Sequence, residues 1–511
     1  MTRTAASLWP LLAVVAPLVG VALAALGPRL SARLRDASLL TVVAATTVVA
    51  GLLVRGTVHG TSYETLVLQM TTRAWLQLRV DPAGAAYGLT VSALWLLALV
   101  YALGYLRDDA RLGRYLAFAM LCLSCTLGVA YAGDLLTLLI FFELLSVLSY
   151  VLIVHEQTPA ALAAGTRYIV YVLIGGSLIL GGVLVTFYLA DTSVFVPTGF
   201  LHDAMPRAYL VAAFALFVAG FGVKAALVPL HGWVPDAHPA APPPFSALLS
   251  GVLVASGGFG LLRVLFGVFG VELLVVLGVL PWLAAVAGAT IVLGAVLAIR
   301  QPDLKRRLAY STISQMGYLA LGLALATPAT VAAGLVHLTH HAFLKATLFF
   351  CAGVWIHLMG ARTVRELRGA AARTPVVAAA FTLAALGMMG TPPLSGFVSK
   401  WWIGTAVLDA GAPWALVVVL AGALLAAGYL LPVVYTLYLG AGTDRSGTDA
   451  GDADGSGTDR PAPPRLRVPA RLLVPTAISA ALTIVFGLAS QASGFPLAVA
   501  RRAADVLFGG G

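Results

Sequence analysis

Glu143, Lys224, Lys345 and Lys400 each stand well inside a long apolar segment, in a chain that otherwise confines its charge to short polar stretches. An ionised group at the bilayer centre costs roughly 2.5–3.5 kcal/mol on insertion scales, so such side chains line a bundle interior and serve as ion or proton sites. Two histidines join them. His337, His341 and Lys345 recur every four residues, along one stripe of a helix. Imidazole carries a donor and an acceptor nitrogen and titrates near neutrality, so such a row beside a lysine can hand protons along. Glu143 and Lys224 are the obvious partners of opposite charge and are expected to form an ion pair. Pairing favours charge on both groups and desolvation disfavours it, which lets Lys224 release a proton when the pair separates. The plainer reading is a static pair that ties two helices together. Histidines that only pack helices are the alternative for the stripe, and His340 is read as a packing or interfacial residue outside the relay. Zinc, which histidines at i and i+4 can share, lacks a third ligand here. His231, Asp236 and His238, in the loop after Lys224, are candidates for taking protons in, with loop capping as the alternative.

Those residues need spans to carry them, and the composition supplies spans. Of 511 residues, 60% are hydrophobic and only 10% charged, and the mean hydropathy is +0.96, far from a soluble average of about a quarter charged. Apolar runs of roughly 17 residues or more can cross the ~30 Å hydrocarbon core as helices. About fourteen are expected, near 9–27, 38–54, 83–105, 115–132, 134–154, 168–190, 208–230, 244–268, 273–298, 308–326, 329–358, 376–408, 413–439 and 469–492. The first follows only Arg3 and outruns a secretory h-region, so it reads as a span. The expected fold class is an all-α polytopic membrane protein, one transmembrane domain over 1–511 with a channel core at about 113–440.

Basic residues fall on alternate loops: Arg29/Arg33/Arg35, Arg107/Arg111/Arg114, Arg300/Lys305/Arg306/Arg307, Arg362/Arg365/Arg368/Arg373 and Arg445/Arg460/Arg465/Arg467/Arg471. The opposite loops hold few, such as Arg55, Arg73 and Arg207. The positive-inside rule then puts the basic loops in the cytoplasm and both termini outside, in the cell's inner (plasma) membrane. The same scatter over short loops explains the net charge of +10 without a nucleic-acid partner. Three cysteines fall short of the four ligands an iron–sulfur cluster wants, and Cys122, Cys125 and Cys351 read as small buried residues. Residues 441–467 are low in apolar side chains and rich in Gly, Asp and Pro, so they read as a disordered cytoplasmic loop. Asp449, Asp452 and Asp454 there lack the closing Glu of a calcium loop. No Walker loop or dinucleotide fingerprint occurs, and no nucleophile beside an activating base stands out. No cofactor, metal or catalytic residue is expected.

The stretches QPDLKRRLAYSTISQMGY at 301–318, HLTHHAFLKATLFF at 337–350 and GTPPLSGFVSKWW at 390–402 resemble the antiporter-like subunit family. That family comprises the large proton-channel subunits of respiratory complex I, the large subunits of Mrp-type multisubunit cation/proton antiporters, and membrane subunits of energy-converting hydrogenases. The resemblance runs from about residue 80 to 440. The stretch KAALVPLHGWVPDAHPAAPPPFSALLSG at 224–251 looks most like the D-type subunit of Mrp antiporters. The resemblance implies two inverted five-helix repeats, each with a broken helix at the membrane midplane. The residues support this independently: Lys224 is followed by Pro229 and Pro235, and Lys400 is preceded by Pro392, Pro393 and Gly396. Paired Pro-interrupted segments point to a transporter's ion-binding region. The resemblance also implies that Glu143 and Lys224 form a switch, and that Lys400 is the terminal proton-loading residue toward the outer side. Snorkelling to the interface is the alternative for Lys400. Relatives carry a lysine where this chain has Ala255, which leaves Ser256, His337 or water to bridge that point. The implied function is proton translocation within a multisubunit Na⁺ or K⁺/H⁺ antiporter, beside other membrane subunits in the lipid bilayer. The alternatives are a pump subunit of a redox-driven complex and a non-conducting scaffold.

Overall fold

The computed structural model describes residues 3–26, 31–69, 75–439, 464–492, 494 and 496–509. Arg29, Arg73, Arg445, Arg460 and most of the 441–467 linker lie outside the described residues. The helices are α1 (Trp9–Ala25), α2 (Ala32–Val58), α3 (Pro82–Tyr105), α4 (Leu112–Ala130), α5 (Leu135–Ile153), α6 (Pro159–Leu189), α7 (Arg207–Lys224), α8 (Val234–Ala240), α9 (Pro243–Phe269), α10 (Val271–Leu277), α11 (Leu280–Ile299), α12 (Leu304–Ala324), α13 (Pro328–Met359), α14 (Pro375–Met389), α15 (Ser395–Asp409), α16 (Pro413–Tyr438), α17 (Ala470–Leu488) and α18 (Pro496–Leu507). Among the described residues, eleven helices are long and apolar enough to cross a membrane, and α1 and α14 are shorter apolar helices.

Two elements depart from the sequence reading. Strands β1 (Arg3–Ala6), β2 (Thr61–Gln69) and β3 (Trp75–Val80) form a small sheet, with β1 parallel and β3 antiparallel to β2. Its strands are too short and too polar to register in a search for spans. The amphipathic helix α18 was also unforeseen. It buries Leu497, Val499, Ala503 and Ala504 and lays Arg501 over the Trp402 ring at 4.2 Å.

Helix starts follow from local chemistry. The Asp134 carboxylate accepts the Leu136 and Thr137 amides at the head of α5, and Asp303 accepts the Arg306 amide at the head of α12. Thr158 caps α6 and Thr327 caps α13, each followed by a proline at the first helical position. Asp134 and Thr158 are repeated at the same spacing by Asp303 and Thr327, and Asp134 and Asp303 each form an isolated β-bridge, to Val194 and Thr363.

The two halves run in opposite senses. Arg306, near the start of α12, bonds Asp236 beside Thr158 at the start of α6, so both helices begin on one side of the bundle. The preceding helix α5 ends on that side, and its Asp134 start therefore lies on the other. Helices α5 and α12 share a cap and a place in the repeat but point oppositely, as an inverted repeat requires.

At the centre lies α9, whose spanning window is entirely buried. It contains two π-helical turns, Leu249–Leu253 and Leu265–Phe269, which leave carbonyls outside the regular ladder. Gly257 lets α9 meet the end of α7. A Cβ there would fall 2.3 Å from the Ala225 amide nitrogen and 2.7 Å from the Phe221 carbonyl. Gly257→Ala is therefore expected to destabilise the protein by about 1–3 kcal/mol. The readout is the Tm of the purified protein in detergent, and an unchanged Tm would contradict the close approach.

Candidate functional site

Both segments singled out for their prolines are broken. Helix α7 ends at Lys224 and resumes as α8, and α14 stops before Pro392 and Pro393 and resumes as α15. A helix end at this depth leaves carbonyls that only protein or a watery cavity can satisfy. At the first break the Trp233 indole donates to the Val223 carbonyl at 2.8 Å. At the second, the Lys400 ammonium donates to the carbonyls of Met388, at 2.6 Å, and Met389, at 3.3 Å. Lys400 is buried and turned into the break, over the Tyr318 ring at 5.2 Å, so it does not snorkel.

Lys224 is 1% exposed and donates to the Tyr168 hydroxyl at 2.8 Å, with Ser146 Oγ at 3.4 Å. Tyr168 is held in turn by Ser149 Oγ at 2.5 Å and by the Ser146 carbonyl at 3.0 Å. The expected ion pair with Glu143 is not formed: no Glu143–Lys224 contact occurs within 4 Å among the described residues. The Glu143 carboxylate lies instead against Gly176 of α6, where an added Cβ would meet Oε1 at 2.1 Å, and that oxygen has no hydrogen-bond partner. The physical reason is that the Lys224 ammonium turns to the Tyr168 hydroxyl instead, so the two charges act on each other without touching.

The stripe on α13 is continuous and buried. His337 Nδ1 lies 3.0 Å from Ser399 Oγ, and that hydroxyl donates to the Gly396 carbonyl at 3.2 Å, so His337 is the donor of the pair. The His337 ring is 5.3 Å from that of Tyr318 and 6.1 Å from that of His341. His341 Nε2 donates to the Ser250 carbonyl at 3.2 Å, inside the first π turn of α9. Lys345 donates to the Leu308 carbonyl at 3.0 Å and to Ser311 Oγ at 2.6 Å, and Ser311 meets the Tyr429 hydroxyl at 2.7 Å. His340 stands apart, stacked on Phe486 at 5.9 Å.

The three lysines of the site thus rest on hydroxyls and carbonyls. A hydroxyl can accept from an ammonium or donate to an amine, so Lys224 and Lys345 keep a partner in either protonation state. At Ala255 no polar side chain bridges among the described residues. Ser256 turns back to the Leu253 carbonyl at 2.6 Å and is fully buried.

Of the loop residues, Asp236 is ion-paired with Arg167 and with Arg306, the latter at 3.2 Å. His231 is half-buried with a free Nδ1. His238 is fully buried, stacks on Phe349 at 5.2 Å, and has no hydrogen-bond partner at either ring nitrogen among the described residues. Sequence reasoning missed Tyr168, Ser146, Ser311 and Tyr429. The signal available was the density of hydroxyls within apolar helices, as in Ser146/Ser149 and Ser311/Thr312/Ser314.

Residues 132–426 match the NADH:quinone oxidoreductase/Mrp antiporter transmembrane family. The chain is similar to NADH-quinone oxidoreductase subunit N of Desulforudis audaxviator, 36% identical over 436 residues that cover 81% of this chain and 82% of the relative. In solved structures it is similar to a chain of the Mrp complex from Dietzia sp. DQ12-45-1b, with a TM-score of 0.86 and 26% identity, covering 98% of this chain and 97% of the other. A chain of the membrane-bound sulfane sulfur reductase, an archaeal respiratory membrane complex, shares the fold with a TM-score of 0.84 at 24% identity and 98% coverage of both.

Tyr168→Phe leaves the Lys224 ammonium with Ser146 Oγ at 3.4 Å as its remaining hydrogen-bond partner. Losing a hydrogen bond to a charged group is expected to destabilise the protein by roughly 1.5–3 kcal/mol. Thermal unfolding of the purified protein reads this directly, and a wild-type Tm would mean that Lys224 does not depend on Tyr168.

Proposed function

The chain belongs to the NADH:quinone oxidoreductase/Mrp antiporter family of transmembrane subunits, and from that premise we propose that it is the proton-translocating subunit of a multisubunit monovalent cation/proton antiporter, of the D type. Glu143 and Lys224 form the gate, the approach of the carboxylate to the ammonium setting its state, and Lys345, His341, His337 and Lys400 relay the protons. The observation that carries this reading is the α13 stripe, where buried histidines and Lys345 stand between the two broken helices and meet only neutral partners. A proton arriving on any of them finds a hydrogen-bonded group that serves both forms. The likeness to a chain of the Mrp complex over nearly the full length supports the antiporter branch. The protein sits in the cell membrane beside other membrane subunits, with the Arg306/Arg362 face inward and both termini outward.

A second reading has its own support. The 36% identity to a subunit N favours a pump subunit of a redox-driven complex, using the same proton path but driven by a partner's electron transfer. The subunits that copurify with the chain separate the two. Small membrane subunits alone favour the antiporter, and peripheral iron–sulfur subunits favour the pump.

The test is proton/cation exchange in inverted vesicles containing the complete complex, with Glu143→Ala and Lys224→Ala compared with the native chain at equal assembly. Each substitution is expected to slow exchange at least about tenfold. Full exchange in both variants would overturn the gate and favour a non-conducting scaffold.

A further inference from the structure

Ala255 and the inward-turned Ser256 leave α9 without a titratable side chain between Lys224 and the α13 stripe. Another group of buried titratable residues reaches the stripe from the Arg306/Arg362 face. A cavity of about 340 Å³ lies there, lined by Glu156, Arg167, Asp236, Pro239, Arg306 and Arg362 among others. Behind its wall is Lys305, only 6% exposed, which donates to the Pro239 carbonyl at 3.2 Å and to the Ala241 carbonyl. His238 follows, fully buried with both ring nitrogens unpartnered among the described residues. Its ring stacks on Phe349, one turn beyond Lys345 on the same face of α13. The charges of both Lys305 and Lys345 act on His238, and those of His238 and Lys345 act on His341. The other charges acting on Lys305 are Glu156, Asp303 and Arg362. Asp236 is a poor carrier because two guanidinium groups clamp it.

We propose that Lys305 and His238 form the proton-loading site of the second half of the channel, taking protons from this cavity and delivering them to Lys345 without crossing α9 at Ala255. The inference rests on the proton-conduction reading above. In the step, the Lys305 ammonium gives a proton through an intervening water to one ring nitrogen of His238, while the other ring nitrogen gives its proton through a second water to the Lys345 amine. His238 ends neutral, Lys345 ends as an ammonium, and the Lys305 amine is reloaded from the cavity. A buried imidazole with two free nitrogens suits this transfer because it can accept at one and donate at the other.

The rival role for Lys305 is a static cap on the carbonyls after α8, and charge-conserving substitution separates the two. Lys305→Arg keeps the charge and the donors but does not release a proton. Lys305→His keeps a titratable group with a weaker cap. In inverted vesicles containing the complete complex, Lys305→Arg and His238→Gln are expected to slow proton/cation exchange at least about tenfold. Lys305→His is expected to retain exchange, with its dependence on cytoplasmic-side pH displaced toward acid. Native-rate exchange by Lys305→Arg would overturn the proposal and leave Lys305 a cap. Should Lys305→Arg fail to assemble, His238→Gln decides, and native-rate exchange there would equally overturn it. Absence of exchange by the native complex would instead overturn the conduction reading. Exchange abolished by Glu143→Ala but untouched by Lys305→Arg and His238→Gln would remove this loading site alone.

Discussion

A carbonyl freed at membrane depth must find a donor within the protein, and this demand shapes both the breaks and the site. The Trp233 indole answers the end of α7, Lys400 answers the end of α14, and His341 answers a carbonyl that the π turn of α9 frees. Lys345 likewise holds the Leu308 carbonyl of α12. Backbone irregularity creates acceptors, and the side chains drawn to them are those that can carry a proton. Removing the breaks would remove the reason for these cations to be inside.

The same geometry explains why hydroxyls, and no carboxylate, hold Lys224 and Lys345. A buried ion pair fixes both partners as charged and resists change, because separating it strands a charge in low dielectric. A serine–tyrosine couple imposes no such choice. The first half places Tyr168, Ser146 and Ser149 around Lys224, and the second places Ser311 and Tyr429 around Lys345. The repeat spacing that carries Asp134 to Asp303 also carries Tyr168 to His337 and Gly176 to Lys345. Where the first half packs Glu143 on a glycine, the second therefore bears its central lysine. The halves share a scaffold and differ in the sign of the charge they bury at that level.

Much of this was legible in the chain. The long apolar runs of α2 to α6, the prolines at both breaks and the four-residue spacing on α13 are strong periodic signals, and each became the expected element. The titratable residues were legible too, since charge inside an apolar run stands out by composition. Partners were not. Whether Lys224 meets Glu143 or Tyr168 depends on how far α7 extends before it breaks and on how α6 is placed along its axis, and neither is written in local periodicity. The π turns of α9 leave no compositional mark, so the Ser250 carbonyl beneath His341 was invisible. Lys305 was read as one more basic loop residue, because only the fold shows its ammonium turned inward onto the carbonyls after α8.

Helix α9 shows how two halves with no titratable side chain between them at Ala255 and Ser256 still act on each other. Gly257 sets its backbone directly on the end of α7 that carries Lys224, and a few residues earlier Ser250 offers its carbonyl to His341 and its hydroxyl to Thr312. The helix is buried on all sides, and close-packed interiors transmit displacement because they have little free volume to absorb it. If Lys224 changes partners and the end of α7 shifts, α9 has to move with it, and the acceptor beneath His341 moves as well. The link between the halves then runs through backbone contact rather than a shared proton wire, which an alanine at 255 permits.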